Sequence, residues 1–280
     1  MTIREITDAI IQKTGVPRLR DEDTCDQLMT GSFDTHVTKI VTTFMATMEV
    51  IQKAVALGAE LIITHEPTWF TGKDDTAWLE GDPVYLQKKR LIEQSGIAIW
   101  RFHDHMHMDK EDGIFRGFEE ETGWATYRMA PEKQEGEQSF LNHFKGCYQL
   151  PRTNLRELVD FLKQTFELPA IRFIGNPDMA VERVGLLPGG GSLGLGREQM
   201  PMELMRKRAL DTLICGEITE WTLPAYVRDA HQMGLAKSIL VLGHERSEEA
   251  GMKHLETWLR PVIEDIPVVF VDSGEPFRLM

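Results

Sequence analysis

Side chains suited to metal binding stand at the ends of three predicted strands. His65 and Glu66 follow the apolar run LIIT, the stretch His103–Asp109 follows AIWRF, and His244 and Glu248 follow SILVLG. The carboxyl ends of parallel strands lie along one edge of an α/β sheet, where such folds bind ligands. Imidazole nitrogens and carboxylate oxygens are ligands for divalent ions. The sequence therefore predicts a metal site at this edge.

The first and third of these elements bring two ligands together locally. Pro67 enforces a turn after the strand, so that His65 and Glu66 can both reach one site. A helix that begins just after the glycine of LGHERSE stacks His244 on Glu248, four residues later, which is the geometry of a helical metal-binding pair.

The middle element, HMHMD, alternates polar and apolar residues. On an extended chain, His105, His107 and Asp109 lie on one face, and Met106 and Met108 are core contacts on the other. His105 and His107 are candidates for proton transfer to a leaving group because they lie beside Asp109 in sequence.

Two further residues have alternative interpretations. His103 is interpreted equally well as a surface residue. Glu217, which ends the strand DTLICGE, orients a ligand histidine or acts as a base in one interpretation. In the other, it caps the following helix.

Apolar periodicity predicts alternating helices and strands. The predicted helices are 3–14, 47–57, 84–94, 154–166, 222–233 and 247–259. The predicted strands lie near 38–44, 60–64, 97–102, 143–149, 182–187, 211–215, 237–242 and 267–271. Most strands are continuous apolar runs, as expected when both faces are covered.

This alternation predicts an α/β fold with mixed, largely parallel sheets flanked by helices. The polar segment 128–138 is interpreted as a linker or exposed loop. It marks the start of a predicted inserted lobe, 128–180, while 1–127 together with 181–280 form the part that carries the metal site within one α/β unit.

Composition narrows the class of protein. With 280 residues, of which 42% are hydrophobic and 27% charged, the chain can bury a large core. A net charge of −13 opposes a nucleic-acid backbone, so we expect no nucleic-acid partner. The amino terminus lacks the apolar stretch of a signal peptide or membrane span, and we expect a cytoplasmic protein without a membrane partner. Cys25, Cys147 and Cys215 have no paired spacing and are expected to be reduced packing residues.

A glycine motif offers a competing hypothesis. Gly189, Gly191 and Gly194 match G-x-G-x-x-G after a strand, and Asp211 lies about where a ribose contact would be. Pro201 is predicted to interrupt the helix that should follow a dinucleotide-binding loop. We therefore favour a backbone-amide loop that lines the metal pocket and holds an anionic substrate.

The three strand-end motifs resemble a known family in their order and separation. LIITHEPTWF, HMHMD and LGHERSE are similar to the LIITHHP, HTNLD and GHYxSE motifs of the NGG-interacting-factor-three-like family, whose members are often labelled GTP cyclohydrolase I type 2. TCDQLMTG, RVGLLPGGGSL and DTLICGEITEW resemble further stretches of that family, so the resemblance covers nearly the whole chain.

The resemblance implies a dinuclear metal site and a ring-shaped homo-oligomer, often a hexamer. Carried over by position, His65 and His244 bind one metal, Glu66 and Asp109 bind the other, and Glu248 bridges the two. The cofactors implied are two divalent ions, with Zn, Mn, Fe and Mg all open.

Two departures from the family pattern bear on the site. Glu66 stands where the family has a second histidine, which adds negative charge and favours harder ions by ligand type, although the affinity order still favours zinc. The alternative is that Glu66 forms a salt bridge at the rim of a single-metal site. Phe44 and Met45 stand in TTFMATMEV, where relatives usually carry an acidic residue.

Three function hypotheses follow. The first is a metal-dependent hydrolase of a phosphorylated or nucleotide-like small molecule, because two metals can generate hydroxide at neutral pH. The second is a non-catalytic metal-binding or regulatory protein with the same ligands. The third is a dinucleotide-binding oxidoreductase that uses the glycine motif.

Overall fold

Helices and strands alternate along the chain and build two sheets, each within its own unit. The first unit is Met1–Gly117 with Glu249–Met280, and the second is Phe118–Glu248. The structure is a computed structural model that describes residues 1–130, 144–263, 265–278 and 280. Most of the predicted loop 128–138 lies outside the described residues. The inserted lobe 128–180 and its division from 1–127 and 181–280 stay a prediction.

The elements of the described residues are numbered in chain order. The strands are β1 (Leu28–Thr30), β2 (Ile40–Thr43), β3 (Leu61–Thr64), β4 (Ala98–Arg101), β5 (Cys147–Asn154), β6 (Arg172–Ile174), β7 (Ala180–Leu187), β8 (Thr212–Cys215), β9 (Ser238–Val241) and β10 (Val268–Phe270). The α-helices are α1 (Ile3–Thr14), α2 (Met48–Ala56), α3 (Pro83–Ser95), α4 (Asp104–Met108), α5 (Gly113–Thr122), α6 (Leu155–Thr165), α7 (Met200–Lys207), α8 (Leu223–Gln232), α9 (His244–Lys253) and α10 (Leu255–Leu259).

The sheet of the first unit has the order β1-β4-β3-β2-β10. Its strands are parallel except β1, which pairs with β4 in the antiparallel sense. Every residue of β2, β3 and β4 is buried. Leu61 and Ile63 pack in one core with α1 and α10, and Ile62 packs in another with α2 and α3. Because side chains alternate across a strand, these two cores cover opposite faces of the sheet.

The sheet of the second unit has the order β5-β7-β8-β9-β6. β7, β8 and β9 are parallel, and the two outer strands are antiparallel to their neighbours. Leu204 of α7 and Val227 of α8 pack with Leu213 of β8 in one buried core. Both units are therefore mixed, largely parallel sheets with helices packed on them, as the sequence predicts.

Local signals set several helix ends. α1 begins with a capping box, in which Thr2 accepts from the Glu5 N–H and the Glu5 side chain accepts from the Thr2 N–H, and α1 ends at Gly15 with φ of 70°. α3 begins with Asp82, whose side chain accepts from two backbone N–H groups, and ends at Gly96 with φ of 69°. These signals explain why the predicted bounds of both helices lie within one residue of the observed ones.

The prediction for the HMHMD stretch was wrong. Residues Asp104–Met108 form helix α4 rather than an extended segment, so His105, His107 and Asp109 do not share a face. Met106 is a core residue as predicted, but Met108 is 54% exposed and is not a core contact. The observed strands and α-helices that the periodicity missed are β1, α4, α5 and α7.

None of the helices in the described part of the chain combines the length and the apolarity that crossing a bilayer requires.

Gly117 of α5 lies against the backbone of Ala250 and Gly251 in α9, and an added Cβ would overlap both. We expect Gly117→Ala to lower the free energy of unfolding by about 3 kcal/mol, because backbone atoms cannot move aside as a side chain can. Urea denaturation measures the change. Gly72→Ala is the control, since its Cβ meets open space and its φ is not positive. Equal stability of the two variants would contradict this packing.

Lys88 is a buried lysine of α3 whose Nζ donates to the carbonyl of Thr68 at 2.6 Å. Burial lowers the pKa of its ammonium group to about 8 from 10.5, and the nearby Asp74 carboxylate opposes the shift. Between about pH 8 and 10.5 the unfolded chain therefore binds a proton here that the folded chain lacks. Across that window Lys88 raises the free energy of unfolding with increasing pH, by at most about 1.4 kcal/mol per unit.

We expect Lys88→Met to remove this rise. Urea denaturation at several pH values between 8 and 10.5 measures it, with the difference between wild type and variant isolating Lys88 from other titrating groups. Lys89→Met, an exposed neighbour on the same helix, should keep the wild-type profile. A Lys88→Met profile parallel to that of the wild type would refute the shifted pKa.

Candidate metal centre

The first unit places histidines after two adjacent parallel strands. β3 and β4 pair with Thr64 opposite Arg101, so both strands end at the same level. His65 is the next residue after β3, and His103 lies two residues beyond β4. Parallel pairing therefore brings these two imidazoles to one edge of the sheet.

His65, His103 and His107 form a three-imidazole cluster in the first unit. The ring centroids are 4.5 Å apart for His65 and His103, 5.0 Å for His65 and His107, and 4.7 Å for His103 and His107. Each ring offers a nitrogen that lies within 4.8 Å of the nitrogens offered by the other two. Three imidazoles this close can bind one divalent ion and leave a coordination position open for water or substrate.

Hydrogen bonds at Nδ1 orient all three rings. Nδ1 of His65 lies 3.2 Å from the Phe102 carbonyl oxygen. Nδ1 of His103 lies 2.9 Å from Oδ1 of Asp104, and Nδ1 of His107 lies 2.9 Å from Oδ2 of Asp112. A carbonyl or carboxylate oxygen accepts only, so Nδ1 carries the proton and Nε2 carries the lone pair. Metal-binding histidines characteristically donate their second nitrogen in this way.

The ionisation of His65 suits a metal ligand. Its side chain is fully buried, and burial, followed by the neighbouring His103 and His107, holds the pKa of the His65 imidazole well below its usual value. The neutral imidazole is the form that binds metals. The chemistry of this donor set therefore fits a divalent ion.

The helical form of α4 selects His103 and His107 for the cluster. Residues four apart lie on the same face of a helix, so these two project together, and His105 projects elsewhere. The sequence alone allows a surface or a site interpretation for His103 and makes His107 a candidate for proton transfer. His103 and His107 are four residues apart, and this spacing predicts that they pair only if the segment is a helix.

His105, the predicted proton carrier, lies in a buried network instead. Its Nδ1 is 2.6 Å from Oδ2 of Asp26, and its Nε2 accepts from the Leu19 N–H at 3.3 Å. Asp26 also accepts from the backbone N–H groups of His103, Asp104 and His105. It therefore caps α4, whose own first residues supply no side-chain cap. The geometry gives His105 a structural contact, and its catalytic role stays a prediction.

Cys25 and Asp104 lie beside the cluster and form, with His103, a second group of possible ligands within 4.8 Å of one another. Oδ1 of Asp104 pairs with His103, and Oδ2 accepts from the Thr24 hydroxyl and the Cys25 N–H, both at 2.9 Å. The hydrogen bond from the His103 side chain is the main reason that the pKa of Asp104 is lowered. Burial raises the pKa of the Cys25 thiol to about 12, which disfavours the thiolate that binds metals. Asp104 therefore supports His103.

Two other predicted ligands of the first unit have different surroundings. Glu66 is half-buried, with Oε2 at 3.3 Å from Nη2 of Arg101 and Oε1 at 3.9 Å from Nε2 of His103. Asp109 follows α4, and its Oδ1 accepts from the Glu111 N–H at 3.1 Å. The three-imidazole cluster does not include Asp109. Its role as a ligand stays a prediction.

The second unit brings His244 and Glu248 together as the spacing predicts. α9 begins at His244, and Nε2 of His244 lies 3.2 Å from Oε2 of Glu248. Nδ1 of His244 lies 3.0 Å from Oε1 of Glu217, which follows β8. Glu217 thus holds the ring of His244 by the same contact that Asp104 makes with His103. Orientation of a ligand histidine was one of the two interpretations of Glu217.

The glycine-rich segment contacts the pair formed by His244 and Glu248. The N–H of Gly189 donates to Oγ of Ser247 at 2.9 Å, and that hydroxyl donates to the His244 carbonyl at 2.8 Å. Gly189 has φ of 50°, and a Cβ there would overlap the side chains of Glu248 and His244. Only glycine fits between these side chains and the turn. Ser247 and the close approach of Gly189 were not predicted.

The same segment lacks the context of a dinucleotide-binding loop. The glycines lie in and just after a 3₁₀ turn, Gly189–Leu193, and α7 begins only at Met200, so no helix N-terminus follows them directly. The predicted lack of a helix directly after the glycines is confirmed, but Pro201 lies in the first turn of α7 and begins that helix instead of interrupting one. The Asp211 carboxylate accepts from the N–H groups of Glu182 and Arg183. These contacts disfavour the oxidoreductase hypothesis.

We expect Gly189→Ala to lower the free energy of unfolding by about 2 kcal/mol, because the new methyl group is strained at positive φ and displaces Glu248 and His244. Gly190→Ala is the matched control, since its Cβ meets nothing within 4 Å and its φ is not positive. Urea denaturation measures both variants. Two variants of wild-type stability would contradict the close approach of Gly189 to these side chains.

Comparisons with known proteins identify relatives of this chain. Curated relatives named GTP cyclohydrolase 1 type 2 homolog include one from Clostridium acetobutylicum, 26% identical over 90% of this chain and 89% of that protein. Another, from Vibrio cholerae, is 25% identical over 96% of this chain and 97% of that protein.

Solved structures show the same fold. A Bacillus cereus protein related to NIF3 matches with a TM-score of 0.76 and 16% identity, over 100% of this chain and 99% of that chain. A Staphylococcus aureus protein matches with a TM-score of 0.73 and 17% identity over the same shares. The family model Duf34/NIF3 (NGG1p interacting factor 3) matches residues 1–276, and the chain therefore belongs to the Duf34/NIF3 family.

Proposed function

We propose that this protein binds two divalent metal ions and hydrolyses a phosphorylated or nucleotide-like small molecule. The observation that carries the proposal is the cluster of His65, His103 and His107, in which each Nδ1 faces a carbonyl or carboxylate oxygen. Histidines used only for packing would not need three rings that each bring a nitrogen within 4.8 Å of the other two.

The proposed ligands of the first unit are the three imidazoles with Glu66 and Asp109. His244 and Glu248 are proposed as ligands in the second unit. His103 and His107 are added to the set predicted from sequence because of their position beside His65. Imidazole and carboxylate donors together suit Zn²⁺, Mn²⁺ and Fe²⁺, and Mg²⁺ is the least suited to the histidines.

Carboxylate side chains orient the histidines of this proposed centre. Asp104, Asp112 and Glu217 each face Nδ1 of a histidine, and so hold the proton away from Nε2. Two bound divalent ions would supply a nucleophile from water at neutral pH and offset charge that develops on a phosphoryl or carbonyl oxygen. The name of the curated relatives, GTP cyclohydrolase 1 type 2 homolog, supports a nucleotide-like substrate.

Metal stoichiometry tests the binding half of the proposal. We expect about two ions per chain after reconstitution of the wild type with Mn²⁺, Fe²⁺ or Zn²⁺. His103→Ala and His244→Ala should each lose metal, because each removes an imidazole whose orientation is fixed by a carboxylate. Elemental analysis gives the count, and circular dichroism verifies folding.

His231→Ala is the matched control, since this histidine is exposed on α8 and should leave the metal count unchanged. A wild type with almost no metal after reconstitution would refute the proposed centre. A different result is a wild type that binds metal and yet hydrolyses none of a panel of nucleotides and phosphomonoesters, in the metal-loaded or the chelated form. That result supports the hypothesis of a non-catalytic metal-binding protein.

We also propose, from family membership, that the chain assembles into a homo-oligomeric ring, with a hexamer as the expected form. The single chain has a mass of 32.0 kDa, so light scattering after size-exclusion chromatography separates these states clearly. A mass equal to one chain would refute assembly.

A further inference from the structure

We propose that Arg101 is a positioning residue that holds the Glu66 carboxylate with Oε1 toward the imidazole cluster, where Glu66 would serve as a metal ligand. The inference rests on the proposed metal centre. Arg101 is a buried cation beside the proposed metal site, where charge repulsion alone would make an arginine unfavourable. A positioning role accounts for its presence there.

Arg101 is the last residue of β4, and its side chain is 4% exposed. Its guanidinium makes four contacts within the first unit. Nε donates to the His65 carbonyl at 3.2 Å, and Nη1 donates to the Gly72 carbonyl at 2.7 Å. Nη1 also lies 3.6 Å from Oδ2 of Asp74, and Nη2 lies 3.3 Å from Oε2 of Glu66. A single planar group therefore fixes the segment that follows β3 at several points.

The two oxygens of Glu66 have different neighbours as a result. Oε2 faces the guanidinium, while Oε1 lies 3.9 Å from Nε2 of His103, on the side of the imidazole cluster. A carboxylate with one oxygen held by arginine presents the other in a fixed direction. This is the arrangement of an oriented ligand, in which the outer partner sets the geometry and the inner oxygen binds the ion.

The sequence left two interpretations of Glu66 open, as a metal ligand or as a salt-bridge partner. The arrangement around Arg101 combines the two. The salt bridge with Arg101 exists, and it directs Glu66 to the cluster instead of removing it. The carboxylate also offsets the arginine charge, so that the buried pair adds no net charge beside the three imidazoles. The lining of the centre thus gains an oxygen donor, which favours harder ions such as Mn²⁺ relative to an all-imidazole site.

A double-mutant cycle on Mn²⁺ affinity tests this assignment. The variants are Arg101→Met, Glu66→Gln and the two combined, with binding of Mn²⁺ alone followed by electron paramagnetic resonance. If Arg101 acts through Glu66, Arg101→Met weakens Mn²⁺ binding by about tenfold or more in the wild-type background. The same change has little further effect in the Glu66→Gln background. Charge repulsion alone predicts the opposite sign, because removal of a nearby cation would tighten binding of Mn²⁺.

The remaining variants isolate positioning from folding. Arg101→Lys keeps the charge but not the planar fork, so we expect it to weaken Mn²⁺ binding as well, and it replaces Arg101→Met in the cycle if that variant does not fold. Arg208→Met removes a comparably buried arginine, one that donates to the Ala130 carbonyl, and should leave Mn²⁺ affinity unchanged. Urea denaturation confirms that each variant is folded.

The outcomes separate the inference from the proposed function. A wild type that binds no Mn²⁺, Fe²⁺ or Zn²⁺ refutes the metal centre itself. A wild type that binds Mn²⁺, together with an Arg101→Met variant of equal or higher affinity, refutes the role of Arg101 alone. Effects of Arg101→Met and Glu66→Gln that simply multiply in the double variant also refute it, since they show that the arginine does not act through the glutamate.

Discussion

The three-imidazole cluster depends on the hydrogen bonds that the buried carboxylate of Asp26 accepts. It accepts from three consecutive backbone N–H groups, those of His103, Asp104 and His105, and pairs with the His105 ring as well. The first N–H groups of a helix lack partners within the helix, and an anion placed there is stabilised by the helix dipole. α4 has only five residues, too few to form a stable helix alone. Its helical form is therefore imposed from a distance, and that form directs His103 and His107 to His65.

A common chemical pattern recurs in the two units. A histidine projects with its Nδ1 against an acceptor, just after a strand for His65, His103 and His244 and on helix α4 for His107. The acceptor is a side-chain carboxylate for His103, His107 and His244 and a backbone carbonyl for His65. The acceptors come from different elements, so the pattern is not an internal repeat of one motif. Each contact fixes the orientation of its ring, as the outer partners of metal-binding histidines do.

The sequence predicted the strands LIIT, AIWR and SILV because buried parallel strands are continuous apolar runs. Their placement along one sheet edge was wrong, since LIIT and AIWR are β3 and β4 of the first sheet and SILV is β9 of the second. The sequence also predicted the pairing of His244 with Glu248, because a helix after Gly243 fixes their spacing. It failed where a contact distant in sequence overrides a local pattern. HMHMD alternates like a strand, and nothing within the segment reveals the cap supplied by Asp26, 77 residues before His103. Likewise, the contact of Gly189 with His244 and Glu248 depends on tertiary packing that spacing does not encode.

The buried, neutral state of His65 bears on how an ion would be taken up. A histidine that is protonated before binding must release its proton, and part of the binding free energy is lost to that release. The imidazole of His65 has already given up this proton on folding, because a charge there would be stripped of water. For His65, the free energy of deprotonation is therefore part of the free energy of folding and not of the free energy of metal binding. Binding of an ion by Nε2 of His65 would therefore displace no proton from this ring near neutral pH.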